Sequence, residues 1–500
     1  MLAGTTESCW AQETLLELET AFGLIAGVLV VSALAAGLIE RAPLSFPILF
    51  LGLGFLLGDR GLQLISIGLD SRVLEVVAIV TLALVLFLDA VNLELTELRR
   101  DWLVPVLVLG PGTLLVIGLL AGLGMLLLDL PVVLALLLGT ILASTDPVVL
   151  RDVLRDPRIP RSVRRTLSVE AGTNDIVVLP LLLVLIAIAH ADLGGVADWL
   201  GFLGRLLVLG PAVGFGVGAA GSWVMGRVDE RFHIRREYQS LYGIGLVLGA
   251  FVTGEAVGGD GFLAAFAAGL AVTVVNQTLC DCFLEFGQVI AETTMLLAFV
   301  LFGALLSTLV GEVPLPATLA LAALAIFVIR PLVVWSVLRL GRAGLSRYAR
   351  QFIGWFGPRG LNSLLFALLV VQQAVPGGER LFAVIGVVVL VSVVAHGVTA
   401  TPFSRWYARK ASQETLAEER AGTAAELFTQ SPDDIPRVTP SQLAERLAGP
   451  NPPVALDVRS RSEYDRDGVR IPGSVRVLPD QVAEWAADRL RDQPYVLYCT

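Results

Sequence analysis

Thirteen apolar stretches of roughly bilayer-spanning length confine this chain to a membrane. An α-helix rises ~1.5 Å per residue, so about 20 apolar residues cross a hydrocarbon core ~30 Å thick. Such stretches fall near residues 20–39, 45–58, 73–94, 102–128, 131–153, 162–189, 201–226, 236–254, 259–277, 283–307, 315–338, 350–374 and 380–402. Composition agrees: 55% of the 500 residues are hydrophobic and 16% charged, with a mean hydropathy of +0.76, where soluble domains carry roughly 25% charged residues. The expected fold class is an all-α polytopic membrane protein of about 13 transmembrane helices.

Basic loops stay on the cytoplasmic side of a membrane, and here every other loop is basic. Arg99 and Arg100, the arginines from Arg151 to Arg165, those from Arg227 to Arg236, those from Arg339 to Arg350, and Arg405, Arg409 and Lys410 mark one side. The intervening loops carry Asp129, Asp192, Asp198, Glu255, Asp260 and Glu312. An odd number of crossings, with the N-terminus outside and the C-terminus inside, satisfies this alternation; the inner loop around Asp281 is the exception. Met1 to Thr20 lacks a basic n-region and an apolar core, so no cleaved signal peptide is expected. The expected divisions are an extracytoplasmic segment (1–19), a transmembrane domain (20–405), a cytoplasmic linker (406–436) and a small C-terminal domain (437–500). The net charge of −9 implies no partner, since much of the acid sits in the tail, and neither a cofactor nor nucleic acid is expected. Cys9, Cys280, Cys282 and Cys499 are too few and scattered for a disulfide framework or zinc site.

Two carboxylates at membrane depth, Asp146 and Asp175, are the feature to explain. A charge at the bilayer centre costs at least ~2.5–3.5 kcal/mol and usually faces a cavity where it works. Pro147 has no amide to bond the carbonyl of Ala143, so the helix carrying Ser144-Thr145-Asp146-Pro147 should unwind locally. Non-helical backbone at this depth lines a cavity, and broken helices build the mid-membrane sites of secondary transporters. Freed carbonyls, the Thr145 hydroxyl and the Asp146 carboxylate are hard ligands for a small cation; alternatively, Asp146 simply caps the second half-helix.

Glu170 and Asn174, at i and i+4, share a face of the next helix, while Asp175 points about 100° away. Asp175 can therefore address the Asp146 segment, and Asn174 the backbone freed there. Glu170 needs a cation, and Arg330, alone in an apolar run, is available unless it snorkels to the inner surface. A second interruption, Gly357-Pro358-Arg359-Gly360, lies inside the 350–374 crossing. Two interrupted helices are the expected trace of inverted repeats whose unwound middles cross at the substrate site. Asp89 is a further buried acid, near the ion route or near the inner interface; Glu292 and His396 are weaker candidates.

Thr145-Asp146-Pro147, Glu170-x-x-x-Asn174-Asp175, Gly261-Phe262-Leu263-Ala264-x-Phe266-x-Ala268-Gly269, Arg330-Pro331 and Gly357-x-Arg359-Gly360 together resemble the cation:proton antiporter-1 family, the NhaP-type sodium/proton exchangers. The resemblance covers about residues 20–405. It implies a homodimeric antiporter of thirteen helices, exchanging Na+ for H+ at the cell (inner) membrane. It makes Asp175 the ion and proton carrier, with Asp146 and Thr145 beside it, Asn174 bridging the unwound segments and Glu170–Arg330 a structural pair. The Asn-Asp pair goes with electroneutral exchange. Many members have Ser after the glutamate; here Ala171 stands there, which removes an ion-ligating hydroxyl. Na+, Li+ and K+ are not separable at this stage, and a K+/H+ exchanger on the same scaffold is the near rival.

The tail is a separate object. Thr439-Pro440-Ser441-Gln442-Leu443 should start a short helix, Val454 to Arg459 a strand, and Tyr495 to Cys499 a final strand. With Glu463-Tyr464 and Ile471-Pro472-Gly473-Ser474 these resemble about half of a rhodanese-like domain. That resemblance makes Cys499 the persulfide-carrying thiol, activated by the amides of a loop that follows it. The chain stops at Thr500, so this segment is expected to be truncated and without sulfurtransferase activity. A membrane-anchored sulfurtransferase or sensor is the alternative from another class, but it leaves the buried carboxylates unexplained.

Overall fold

The computed structural model describes residues 46–93, 103–156, 158–190, 195–276, 279, 281, 283–340, 345–413, 416, 438–450, 452–487 and 493–498, and isolated positions within 23–34. The first expected crossing therefore lies largely outside the described residues, as do Cys9, Cys280, Cys282, Cys499 and Thr500.

The membrane portion is helical throughout. In chain order its helices are α1 (Phe46–Leu57), α2 (Arg72–Val91), α3 (Val104–Leu128), α4 (Val132–Ala143), α5 (Pro147–Arg155), α6 (Arg161–His190) and α7 (Val196–Phe232). They continue as α8 (Arg236–Ala256), α9 (Gly261–Val275), α10 (Gln288–Leu309), α11 (Leu315–Leu340), α12 (Arg347–Trp355), α13 (Leu361–Gln372) and α14 (Gly378–Gln413). Among the described residues, eight spans are long and apolar enough to cross a bilayer. Three further apolar helices, α1, α9 and α13, have 12, 15 and 12 residues, so that α1 rises only ~18 Å.

Because hydrocarbon offers no hydrophobic drive between helices, close approach relies on small residues. Gly214 and Gly218 of α7 seat directly on the backbone of Ala264 and Ala268 of α9, and Gly54 of α1 on Val300 of α10. One large apolar cluster unites α1, α2, α4, α9, α10, α13 and the upper part of α14. A second gathers Leu150 and Val153 of α5, Val163 and Leu167 of α6, Leu338 of α11, Phe352 of α12 and Tyr407 of α14. Ala143, at the first interruption, belongs to the large cluster, and Phe356, at the second, to the smaller one.

The tail is a small α/β unit: α15 (Pro440–Leu447), β1 (Val454–Asp457), α16 (Arg461–Arg466), β2 (Val475–Arg476), α17 (Val482–Ala487) and β3 (Tyr495–Tyr498). The strands are parallel in the order β2-β1-β3, with Leu456 opposite Val475 and Val454 opposite Tyr495. Thr439 caps α15 through the reciprocal Thr439–Gln442 box. The expected strand from Val454 to Arg459 ends two residues early, because Asp457 turns back to accept the amide and guanidinium of Arg459.

Candidate functional site

The first interruption forms where Pro147 removes a donor and forces its predecessor out of helical geometry. Ser144 and Asp146 are extended, at φ −61°, ψ 139° and φ −101°, ψ 117°. The second separates α12 from α13 at Phe356 to Gly360. The two unwound segments cross and bond directly: the Asp146 amide donates to the Pro358 carbonyl at 2.9 Å. The Arg359 Nε donates to the Leu142 carbonyl at 2.8 Å, and the Ser363 hydroxyl to the Ile141 carbonyl at 3.1 Å.

Asp146 holds both second halves. Its Oδ1 accepts from the Val148 amide at 2.8 Å, at the start of α5, and its Oδ2 from the Leu361 amide at 2.7 Å, at the start of α13. One carboxylate thus meets the positive ends of two half-helices. A β-carbon on Gly360 would overlap this carboxylate, and one on Gly357 would overlap the Arg330 guanidinium, so both glycines are required for close approach.

Asp175 is held differently. Its Oδ1 accepts from the Ser144 hydroxyl at 2.7 Å and its Oδ2 from the Asn362 amide at 2.5 Å. Both donors are neutral side chains, Ser144 from the first interruption and Asn362 from the first turn of α13. Asp146 and Asp175 are each 1% exposed, and among the described residues neither has an arginine or lysine within ion-pair distance.

Asn174 donates to the Ala143 carbonyl at 2.7 Å, the acceptor that Pro147 leaves free, and to the Thr145 hydroxyl at 3.2 Å. Glu170 and Arg330 meet at 2.5 Å, and Arg330 also donates to the Phe356 carbonyl at 3.1 Å. Arg359 is wholly buried and bonds the Gly357 carbonyl as well as Leu142. Asp89, on α2, lies beside Gly172 of α6 and within electrostatic range of Asp175 and Asp146. Asp89 Oδ2, Glu170 Oε2 and Asn174 Oδ1 are buried acceptors with no hydrogen-bond partner among the described residues, the kind of oxygen a hard cation takes.

The structure therefore brings together Asp146, Thr145, Asn174, Asp175, Glu170, Arg330, Pro147, Gly357, Pro358, Arg359, Gly360 and, at the edge, Asp89. Glu292 lies elsewhere, paired with Arg151. His396 sets its ring nitrogens 2.8 and 3.0 Å from the Ser392 and Trp355 carbonyl oxygens, a packing role beside the second interruption. Sequence reasoning missed Ser144, Asn362, Ser363 and Ser392, whose hydroxyl accepts the Arg359 amide at 2.8 Å. Ser144 and Asn362 stand next to the interruptions themselves, which is the signal that would have found them.

Residues 28–406 match the family model for the sodium/hydrogen exchanger transmembrane region, and residues 439–500 match that of the rhodanese-like domain. Over 402 residues the chain is 29% identical to the K(+)/H(+) antiporter NhaP of Alkalimonas amylolytica, covering 78% of this chain and 68% of the relative. It is 28% identical over 409 residues to the K(+)/H(+) antiporter NhaP2 of Shewanella sp. (strain MR-4), covering 80% and 69%. The solved sodium proton antiporter MjNhaP1 from Methanocaldococcus jannaschii shares the fold, with a TM-score of 0.63, 22% identity, and 78% of this chain and 99% of that one covered.

Proposed function

Because the chain belongs to the sodium/hydrogen exchanger family, we propose that it exchanges a monovalent cation, Na+ in the first reading, for H+ at Asp175, with Asp146, Thr145 and Asn174 around it. The observation that carries this is a buried carboxylate gripped, among the described residues, only by the neutral donors Ser144 and Asn362. Such a group is stable in hydrocarbon when its charge is cancelled, and a proton and a metal cation cancel it equally well. They compete for one place, so the site admits one or the other. Exchange follows if the protein changes its open side readily only with that charge cancelled, and one cation for one proton makes the cycle electroneutral.

Asp146 shapes the site by joining the two half-helices, and the Glu170–Arg330 pair fixes α6 against α11. Asp89 and Arg359 flank the ion route. We place thirteen crossings arranged as inverted repeats in the inner membrane, with the N-terminus outside, the tail in the cytoplasm and the working unit a homodimer in the bilayer. The arginine distribution supports the orientation.

A second reading, K+/H+ exchange, is favoured by two observations. Ala171 supplies no hydroxyl to hold a small, strongly hydrated ion, and both curated relatives above are named K(+)/H(+) antiporters. The deciding experiment is dissipation of a pH gradient in proteoliposomes on adding Na+, Li+ or K+ in turn, with the membrane potential free or clamped. Electroneutral exchange is insensitive to the clamp. If no cation moves protons, the reading falls.

A further inference from the structure

A cavity of about 790 Å³ opens between the end of α14 and the tail, and five arginines line it. Arg405 and Arg409 come from the last turns of α14, Arg158 from the loop between α5 and α6, and Arg461 and Arg476 from the tail; among the described residues the one carboxylate in the lining is Asp465. Asp156 and Asp457 offset the charges of Arg158 and Arg476, while Arg405 and Arg409, one turn apart on α14, repel each other, so the arrangement asks for an anion. Burial and the neighbouring charges of Arg459 and Arg461 hold the Arg476 guanidinium below the ordinary arginine value, against the pull of Asp457 and Tyr464.

The chemistry of the lining narrows the class. Guanidiniums bind phosphate through paired hydrogen bonds and remain charged at any working pH. A cavity of this size falls within the range of small-molecule sites, roughly 300–1,000 Å³, and one inorganic anion would reach only some of five arginines. Several guanidiniums are already oriented by part of their donors: Arg476 pairs with the Asp457 carboxylate at 3.5 Å and donates to its carbonyl at 3.0 Å, Arg158 pairs with Asp156 at 2.7 and 2.8 Å, and the Arg409 Nε donates to the Arg405 carbonyl at 3.3 Å.

We propose that this cavity binds a molecule carrying two or more phosphate groups, held between the end of α14 and the rhodanese-like domain. The position gives the occupant leverage on the membrane site. Arg158 follows α5, whose first turn Asp146 caps, and α14 carries Ser392 and His396, which bond to the second interruption. Occupancy would therefore tie the tail to both broken helices at once.

The test is the melting temperature of the full chain in lipid nanodiscs. One arm adds tripolyphosphate to phosphatidylcholine discs; the other places a bisphosphorylated phosphoinositide in the disc. Specific binding raises the melting temperature by mass action. The double variant Arg405→Gln/Arg409→Gln should weaken binding by about tenfold or more, as should Arg461→Gln alone, and Asp465→Asn should tighten it. A shift in the first arm assigns a soluble ligand, and one in the second arm only assigns a lipid headgroup. Absence of a shift in both arms, or a shift that survives either arginine variant, overturns the proposal; the Asp465→Asn gain guards against a variant that merely misfolds. Melting is read without an ion gradient, so its outcome is independent of whether the protein exchanges cations.

Discussion

The membrane crossing and the tail are each built around an aspartate that is 1% exposed, and the two are treated in opposite ways. Asp457 in β1 receives the Arg459 amide, its Nε at 2.9 Å and its Nη2 at 2.7 Å, together with the Tyr498 hydroxyl at 3.0 Å. Asp175 receives one hydroxyl and one amide, and no cation among the described residues. A buried acid with a dedicated arginine is committed to architecture. A buried acid without one is left to whatever positive species arrives, which is what a carrier requires.

The sharpest way to break this contrast is to neutralise both acids in turn. Asp175→Asn should reduce cation-driven proton movement in proteoliposomes to the protein-free background, with the melting curve retained. Asp457→Asn should leave exchange intact and destabilise the tail by up to ~3–5 kcal/mol, because the buried Arg459 then keeps only the more distant Asp467, at 3.6 Å, as a charged partner among the described residues. Exchange surviving Asp175→Asn would end the carrier assignment.

The Glu170–Arg330 pair lies within the membrane site yet belongs with Asp457 by this criterion. Arg330→Ala should therefore cost stability, again ~3–5 kcal/mol, read as a lowered melting temperature of the membrane domain. Gly360→Ala is a smaller perturbation, about 1–3 kcal/mol of overpacking, but it falls on the Asp146 carboxylate. It should depress exchange more than it depresses the melting temperature.

The gentlest test is pH. Burial pushes the Asp457 carboxyl up, but the hydrogen bonds and charge of Arg459, with Tyr498, outweigh this and hold it below the ordinary carboxylate value. Its contribution to stability is then fully present above the unfolded value of about 3.9 and is lost as pH falls through the lower folded value. Acid titration followed by tryptophan fluorescence of Trp485, which packs on Tyr495, should show the tail holding down to about pH 4 and loosening below it. Asp457→Asn removes that step.

What could be read from the sequence follows the same division. Proline and glycine act through the backbone, so Pro147 and Gly357-Pro358-Arg359-Gly360 announced both interruptions, and Asn174 was legible as the partner of the Ala143 carbonyl. A lone arginine in hydrocarbon has few tolerable environments, which made the Glu170–Arg330 contact readable across 160 positions. Ser144 and Asn362 were not legible, because a small polar residue in a membrane helix usually bonds its own helix backbone, and only the crossing turns these two toward Asp175. The double capping by Asp146 was half legible: its hold on α5 is local, whereas its hold on α13 spans 215 positions. The short helices α1 and α9 end within one or two residues of the apolar stretches expected at 45–58 and 259–277.

The shared cap has a mechanical corollary. Any displacement that pulled α5 away from α13 would strip amide donors from a carboxylate that is 1% exposed, so the pair is constrained to travel as a single piece. Under the proposed exchange, a change of open side would then carry both half-helices and the acid between them together.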